Sequence, residues 1–287
     1  MGRILHLTRS MAKKNLPDIQ KTRDTRGIPI EQAGICDLAY PIHVLDREGK
    51  PQRTIANISM SVHLPHHFKG THMSRFLEIL SRHEGEITMR TLPAIVKELE
   101  EKLEAESARV EVEFPYFIEK AAPISGAKAK VACQVRFLGE SKKSRRDFAL
   151  RVETPVMTLC PCSKEISDYG AHNQRGHVTI EVRTRRTKGG WDMMWIEDLV
   201  EIAEKSASAP IYALLKRSDE RHVTMQAYDN PVFVEDLVRN VAVRLKRIKS
   251  VTSFEVRAIN QESIHAHNAF ACVVWKRTGD AKRHRSS

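Results

Sequence analysis

With 287 residues, 41% hydrophobic and 29% charged, the chain carries enough apolar material for one large globular domain or two ordinary ones. No apolar run approaches 18 residues and the N-terminus lacks a signal-like apolar core, so no membrane partner and no secretory route is expected. The net charge of +11 calls for an anionic partner, and an aromatic content of 6% without a basic stripe interleaved with aromatics favours a small phosphate-bearing ligand over nucleic acid. Five cysteines, an odd count without framework spacing, point to thiols that are free or metal-bound in a reducing cytoplasm.

In chain order, residues 1–26 read as a disordered extension, basic from Lys13 to Arg26, with Met11 as an alternative start. After a polar lead-in, Tyr40 to Leu45 is a predicted strand. Asp46-Arg-Glu-Gly-Lys-Pro is a turn, and Thr54 to Leu64 alternates apolar and polar residues as a half-buried strand does. Pro65 closes this hairpin. Phe76, Leu77 and Leu80 have helical spacing behind a Ser/Thr cap region, and a second helix runs from about Leu92 to Glu106 with Ile95, Leu99 and Leu103 on one face. Val110 to Phe114 and Ala129 to Phe137 alternate again. The second half repeats the order. Strands at Phe148–Leu159 and His177–Thr184 precede an amphipathic helix at Trp195–Ala203. Asn230 then serves as N-cap and Pro231 as first-turn residue of a helix whose Val234, Leu237, Val238, Val241 and Leu245 share a face. Val251–Ile259 and Ala269–Trp275 are the last strands, and 277–287 is a basic disordered tail.

The pattern is α+β: tandem ββααββ modules at 27–144 and 145–276, each an antiparallel sheet with two helices on one face. Such sheets leave edges unpaired, which predicts an oligomer.

The stretch between two second-half strands, Thr158-Leu-Cys-Pro-Cys-Ser-Lys-Glu-Ile-Ser-Asp-Tyr-Gly-Ala-His-Asn-Gln-Arg-Gly176, concentrates polar chemistry in a loop held by a scaffold. Cys160 and His172 are ligand types that suit zinc, iron or manganese-like ions; the plain alternative is a turn with incidental thiols. Lys216-Arg-Ser-Asp-Glu-Arg-His222, following a short helix, offers Glu220 as an oxygen ligand or else a solvated charge run. In Gln261-Glu-Ser-Ile-His-Ala-His267, His265 and His267 lie two apart and so point to one side of an extended chain, as a metal or acid/base pair does. Glu235 flanks the apolar face of its helix, where it serves either a ligand or the helix dipole.

Four blocks together resemble the GTP cyclohydrolase IB family: the Cys160–Gly176 stretch, Lys69-Gly-Thr-His-Met-Ser-Arg-Phe, Asn230-Pro-Val-Phe-Val-Glu-Asp and Gln261-Glu-Ser-Ile-His-Ala-His. They occur in the family's order and spread over nearly the whole chain. The resemblance implies a bimodular tunnelling fold whose subunits pair into an oligomeric barrel and stack, usually as a homotetramer, with active sites at subunit interfaces. It implies conversion of GTP and water to 7,8-dihydroneopterin triphosphate and formate. One divalent ion, zinc, manganese or iron, is implied on Cys160, His172, Glu220 and His265. Glu235 is implied as the purine anchor, because a carboxylate accepts from both guanine N1–H and the exocyclic amine. Besides Cys160 itself, His267 and Glu262 are the catalytic candidates, with Cys162 a further acid/base candidate. Lys69, His72, Arg75, Lys164 and Arg175 are the cations nearest the motifs for the triphosphate. Two other classes stay open: a nitrile reductase of the same fold, with Cys160 as nucleophile and a nicotinamide cofactor, and a zinc-stapled nucleic-acid binder, which wants four closely spaced Cys/His ligands.

Overall fold

The computed structural model describes residues 18–278 apart from 21, 84–85, 143–144 and 189. The expectations for residues 1–17, including Met11, and for most of the basic tail lie outside the described residues. The elements are β1 (Ile30–Leu45), β2 (Pro51–Leu64), α1 (Met73–Arg82), α2 (Leu92–Leu103), β3 (Ser107–Ala121), β4 (Lys128–Lys142), β5 (Arg145–Leu159), α3 (Pro161–Ile166) and β6 (Asn173–Thr184). A small ribbon follows, β7 (Arg186–Thr187) and β8 (Gly190–Trp191), then α4 (Ile196–Glu204), β9 (Ala209–Pro210), α5 (Arg217–Asp229), α6 (Val234–Arg247), β10 (Val251–Gln261) and β11 (Ala269–Lys276).

The long strands form one antiparallel sheet in the order β1-β2-β3-β4-β5-β6-β10-β11, with β9 added beside β5. Two separate sheets were expected. They are joined because β4 and β5 pair across the middle of the chain, from Lys142↔Arg145 to Gln134↔Glu153, so both halves share one sheet and one core. Period-two alternation sets the two faces. On β2, Ala56, Ile58, Met60, Val62 and Leu64 are buried under the helices, as are Val110 and Val112 on β3 and Val178, Ile180 and Val182 on β6. Against this face lie Phe76, Ile79 and Leu80 of α1, Ile95 and Leu99 of α2, Leu199 of α4, and Leu237, Val241 and Leu245 of α6. The opposite face carries charge. Arg109 bonds Glu111 and Glu140, Arg136 reaches Glu111, Glu113 and Glu181, and Arg183 pairs with Asp147 and Glu181. These cross-strand pairs let a helix-free face stay in water.

Several local expectations are corrected. Residues 18–20 and 22–26 are not a loose extension: Asp24 N–H donates to His67 O, and Lys69 and Gly70 N–H groups donate back to Thr22 O and Gln20 O. Arg277, expected in a loose tail, donates its guanidinium to Val251 O and Ile248 O. β1 begins at Ile30, well before Tyr40, and α2 stops at Leu103 because Glu104 turns left-handed (φ 52°). The N-cap of α1 is His72, with no side-chain cap. Residues 211–216, directly before the polar cluster, form no helix; instead α5 itself spans the cluster. It was hidden because its buried positions are Asp219, Val223 and Ala227, a four-residue spacing whose first member is a carboxylate. Finally, α6 starts at Val234, not Pro231. Asn230 ends α5 and donates from Nδ2 to Ala207 O at 2.9 Å, while Val232 N–H donates to Leu159 O, holding 231–233 extended against the end of β5.

Candidate active site

Three loops meet at one end of the sheet, and strand register brings them there. The β5–β6 ladder ends at Leu159↔Asn173, so Cys160 and His172 face each other one step beyond, where Cys160 N–H donates to His172 O at 3.1 Å. The excursion between them is stitched internally. Ser163 Oγ donates to Cys160 O (3.2 Å) and accepts from His172 N–H (3.2 Å), while Ser163 N–H approaches Cys160 Sγ at 3.4 Å, with Cys160 the N-cap of α3. Next along the sheet, β6 and β10 pair through Gln261↔Arg175, so the β10–β11 loop carrying Glu262, His265 and His267 emerges beside His172. The extended 231–233 segment forms the third wall and leads into α6, on whose first turn Glu235 stands.

The result is a cleft of about 260 Å³ lined by Cys160, His172, Glu235, Glu262, His265 and His267, together with Gln174, Asn260 and the apolar 232–234 segment. The His172 and His265 rings lie 6.4 Å apart edge to face, and His265 stacks on His267 at 5.2 Å. Beneath them runs a chain of polar contacts. Thr158 Oγ1 donates to Gln174 Oε1 (3.1 Å), Gln174 Nε2 donates to Glu262 Oε2 (3.0 Å), and that same oxygen lies 3.9 Å from His172 Nδ1. Glu262, with 9% of its side chain exposed, is thus held from below and turned toward the imidazole. Sequence reading missed Thr158, Gln174 and Asn260. The signal available was three polar residues at the ends of otherwise apolar strand faces.

Other candidates fall elsewhere in a single chain. Glu220 is exposed on α5 and does not line the cleft. Its neighbour Asp219 faces inward instead, fully buried, accepting from the N–H groups of Ile124, Ser125 and Lys216 and from Ser125 Oγ at 2.6–2.9 Å. Burial acts to raise its pKa, but those donors outweigh it and hold the carboxyl well below its ordinary value of 3.8. Cys162 is exposed. Lys164 donates to Tyr228 O at 2.5 Å and sits over the Tyr228 ring. Arg175 is on the opposite side of β6 from Gln174, in a neighbouring hollow with Gln261 and Ser263. Lys69, His72 and Arg75 belong to the first half: His72 Nε2 lies 3.2 Å from Asp18, and Arg75 donates to Lys102 O.

The donor set of one thiol and two imidazoles around a shared cleft is the kind that suits a borderline divalent ion. Among the described residues, no three His, Cys, Asp or Glu side chains converge tightly enough in one chain to hold an ion.

By its architecture this is an α+β protein with a helix-backed antiparallel sheet, the fold also found in uricase from Arthrobacter globiformis, which superposes with a TM-score of 0.53 over 87% of this chain and 94% of that one at 8% sequence identity. Residues 16–271 match the family model described as type I GTP cyclohydrolase FolE2. The chain is 51% identical over 263 residues to GTP cyclohydrolase FolE2 of Citrifermentans bemidjiense, covering 92% of this chain and 96% of that protein. It is 49% identical over 261 residues to the enzyme of the same name from Nitrosococcus oceani, covering 91% and 96%. The chain belongs to the type I GTP cyclohydrolase FolE2 family.

Proposed function

We propose that the chain is a GTP cyclohydrolase I of the IB type that its motifs resemble, converting GTP and water to 7,8-dihydroneopterin triphosphate and formate at the entry to folate-type pterins. Family membership over nearly the full chain supports the activity. The observation that carries the assignment of residues is the meeting of Cys160, His172, Glu235, Glu262, His265 and His267 around one cleft from three separate loops.

Cys160, His172 and His265 are the ligands for one divalent ion, zinc, manganese or iron. Glu220 joins them from a second copy of the chain, which accounts for its exposure here. A divalent ion held there supplies Lewis acidity and lowers the pKa of water toward neutrality. Glu235 accepts from guanine N1–H and the exocyclic amine, which orients C8 toward the histidines. Glu262 and His267 move protons as the imidazole ring opens and the formamide is hydrolysed, Glu262 being aimed by Gln174. Lys69, His72 and Arg75 of a neighbouring copy, with Lys164 and Arg175, neutralise the triphosphate. The assembly is a homotetrameric barrel in the cytoplasm, where the thiol ligand stays reduced.

The test is incubation of metal-loaded protein with GTP, reading formate release and pterin fluorescence. Both are expected; their absence in folded, metal-loaded protein would overturn the assignment.

A further inference from the structure

Asn260 is the cleft residue whose side-chain oxygen is buried and unpaired at once. It pairs in the ladder with Gly176 on β6 and with Ala269 on β11. Its side chain takes the helix-facing side of β10, the side on which Phe254, Val256 and Ala258 are buried. The residue is 3% exposed, yet its Oδ1 has no hydrogen-bond partner among the described residues. Thr158 and Gln174, the buried polar residues beside it, satisfy each other and Glu262. Its neighbours are also small. A Cβ at position 176 would come within 3.0 Å of Asn260 Oδ1 and 2.9 Å of Val156 Cγ2, so glycine there keeps the amide in place, and Ala269 borders the cleft on the other side. Burying an amide oxygen without a partner is costly, and such a group calls for a partner from outside the chain, a ligand or an ordered water.

We infer that Asn260 is a catalytic residue whose carboxamide oxygen accepts a hydrogen bond from the purine's five-membered ring once water has added to it. The inference rests on the cyclohydrolase reading. Addition forms an O–C8 bond, moves the C8=N7 π pair onto N7, and places protons on N7 and on the C8 oxygen's remaining O–H. In GTP itself N7 is an acceptor and C8 bears only C–H, so an acceptor there has nothing to hold. After addition, N7–H and C8–OH are both donors. Guanine's other donors, N1–H and the amine, are taken by Glu235. An acceptor that finds its partner only along the reaction path binds the reacting species more tightly than the substrate and therefore raises kcat.

The experiment compares wild-type protein with Asn260→Leu, which keeps the shape without the amide, and with Asn260→Ala. Both variants should lose roughly 10²-fold in kcat for GTP with little change in KM, by analogy with removal of a single preorganised hydrogen-bonding group. Metal content should be unchanged. The melting temperature of Asn260→Leu should equal or exceed wild type, since an apolar group replaces a buried unpaired one. A second probe is 8-oxo-GTP, whose ring carries an N7–H that GTP lacks. Wild type should bind it more tightly than GTP, and both variants should lose about 3- to 10-fold of that preference, the worth of one hydrogen bond. Near-normal kcat in either folded variant would overturn the inference. So would a fall in melting temperature with metal loss in both variants, which would make the amide structural. If wild-type, metal-loaded protein releases no formate from GTP, the cyclohydrolase reading itself fails and this inference falls with it.

Discussion

Glu235 separates two readings with a single side chain. As a first-turn carboxylate on α6 it complements the helix dipole, and removing that charge costs about 0.3–1 kcal/mol of stability and nothing in catalysis. As the guanine anchor it is an acceptor-only group. Glu235→Gln then sets an amide NH₂ against a purine N–H, at a cost on the order of 2–4 kcal/mol, or roughly 30- to 1,000-fold in kcat/KM. The position of Glu235 in the wall of the same cleft as Cys160 and His172 favours the second outcome. Kinetics, metal analysis and melting on the one variant decide it; near-normal kcat/KM in folded, metal-loaded protein rules out anchoring. The proposed metal ligands give a different test. Cys160→Ala, His172→Ala and His265→Ala should each strip bound metal and activity together, whereas Cys162→Ala, at an exposed position of α3, should keep the metal. Retention of full metal by all four variants would misplace the centre. The residue types were legible in the sequence, since the Cys, His and Glu of the cleft stand within the motif blocks. Asn260 was not, because an unpaired amide is defined by what surrounds it.

At the scale of an element, α5 shows how a carboxylate can serve as a core residue. Asp219 joins the start of α5 to the β3–β4 turn through Ile124 and Ser125, and so sets where Glu220 emerges. Because its folded-state pKa is depressed, its contribution to stability is fully present above about pH 4, the unfolded carboxylate value, and is lost as pH falls toward the lower folded value. Asp219→Asn should therefore melt lower than wild type at pH 7, with the gap shrinking below pH 4. A constant gap across pH 2–7 would show that the charge of Asp219 is not what matters. The variant should also weaken metal binding in the assembled protein if Glu220 is the ligand that Asp219 positions. Helices α1, α2, α4 and α6 were readable because apolar residues recur on one face; α5 was not, because its inward face opens with an acid.

For the whole molecule, the sheet has β1, 16 residues long, and β11, 8 residues long, at its ends, each without a further strand partner among the described residues. Large apolar side chains stand exposed near them and around the cleft, among them Ile30, Phe270 and Val274 on the edges and Ile166, Tyr169 and Ile264 on the site loops. Both features fit a chain completed by copies of itself. Sedimentation should show a species near four times 32.7 kDa, and a stable, active monomer would sink this. Thiol labelling gives an independent check. Cys36 on β1 and Cys272 on β11 are exposed in one chain and should be protected in the assembly, whereas Cys133, whose pKa burial and the nearby Glu197 and Glu204 charges push up to about 12, should stay unreactive until unfolding.

Alternation along β2, β3 and β6 and the helical stripes of α2 and α6 were enough, from sequence, to establish an antiparallel α+β protein and which side chains form its core, because those signals are local and repeat within a few residues. The four motif blocks were enough to indicate a type I GTP cyclohydrolase. Register decided the rest. Cys160 meets His172 because Leu159 pairs with Asn173, the 262–267 loop arrives beside them because Gln261 pairs with Arg175, and Glu235 reaches the cleft because Val232 is tied to Leu159. The same long-range pairing fused two expected sheets into one and left Asn260 Oδ1 buried without a partner among the described residues. Each of these depends on contacts between residues far apart in the chain, which no local pattern encodes.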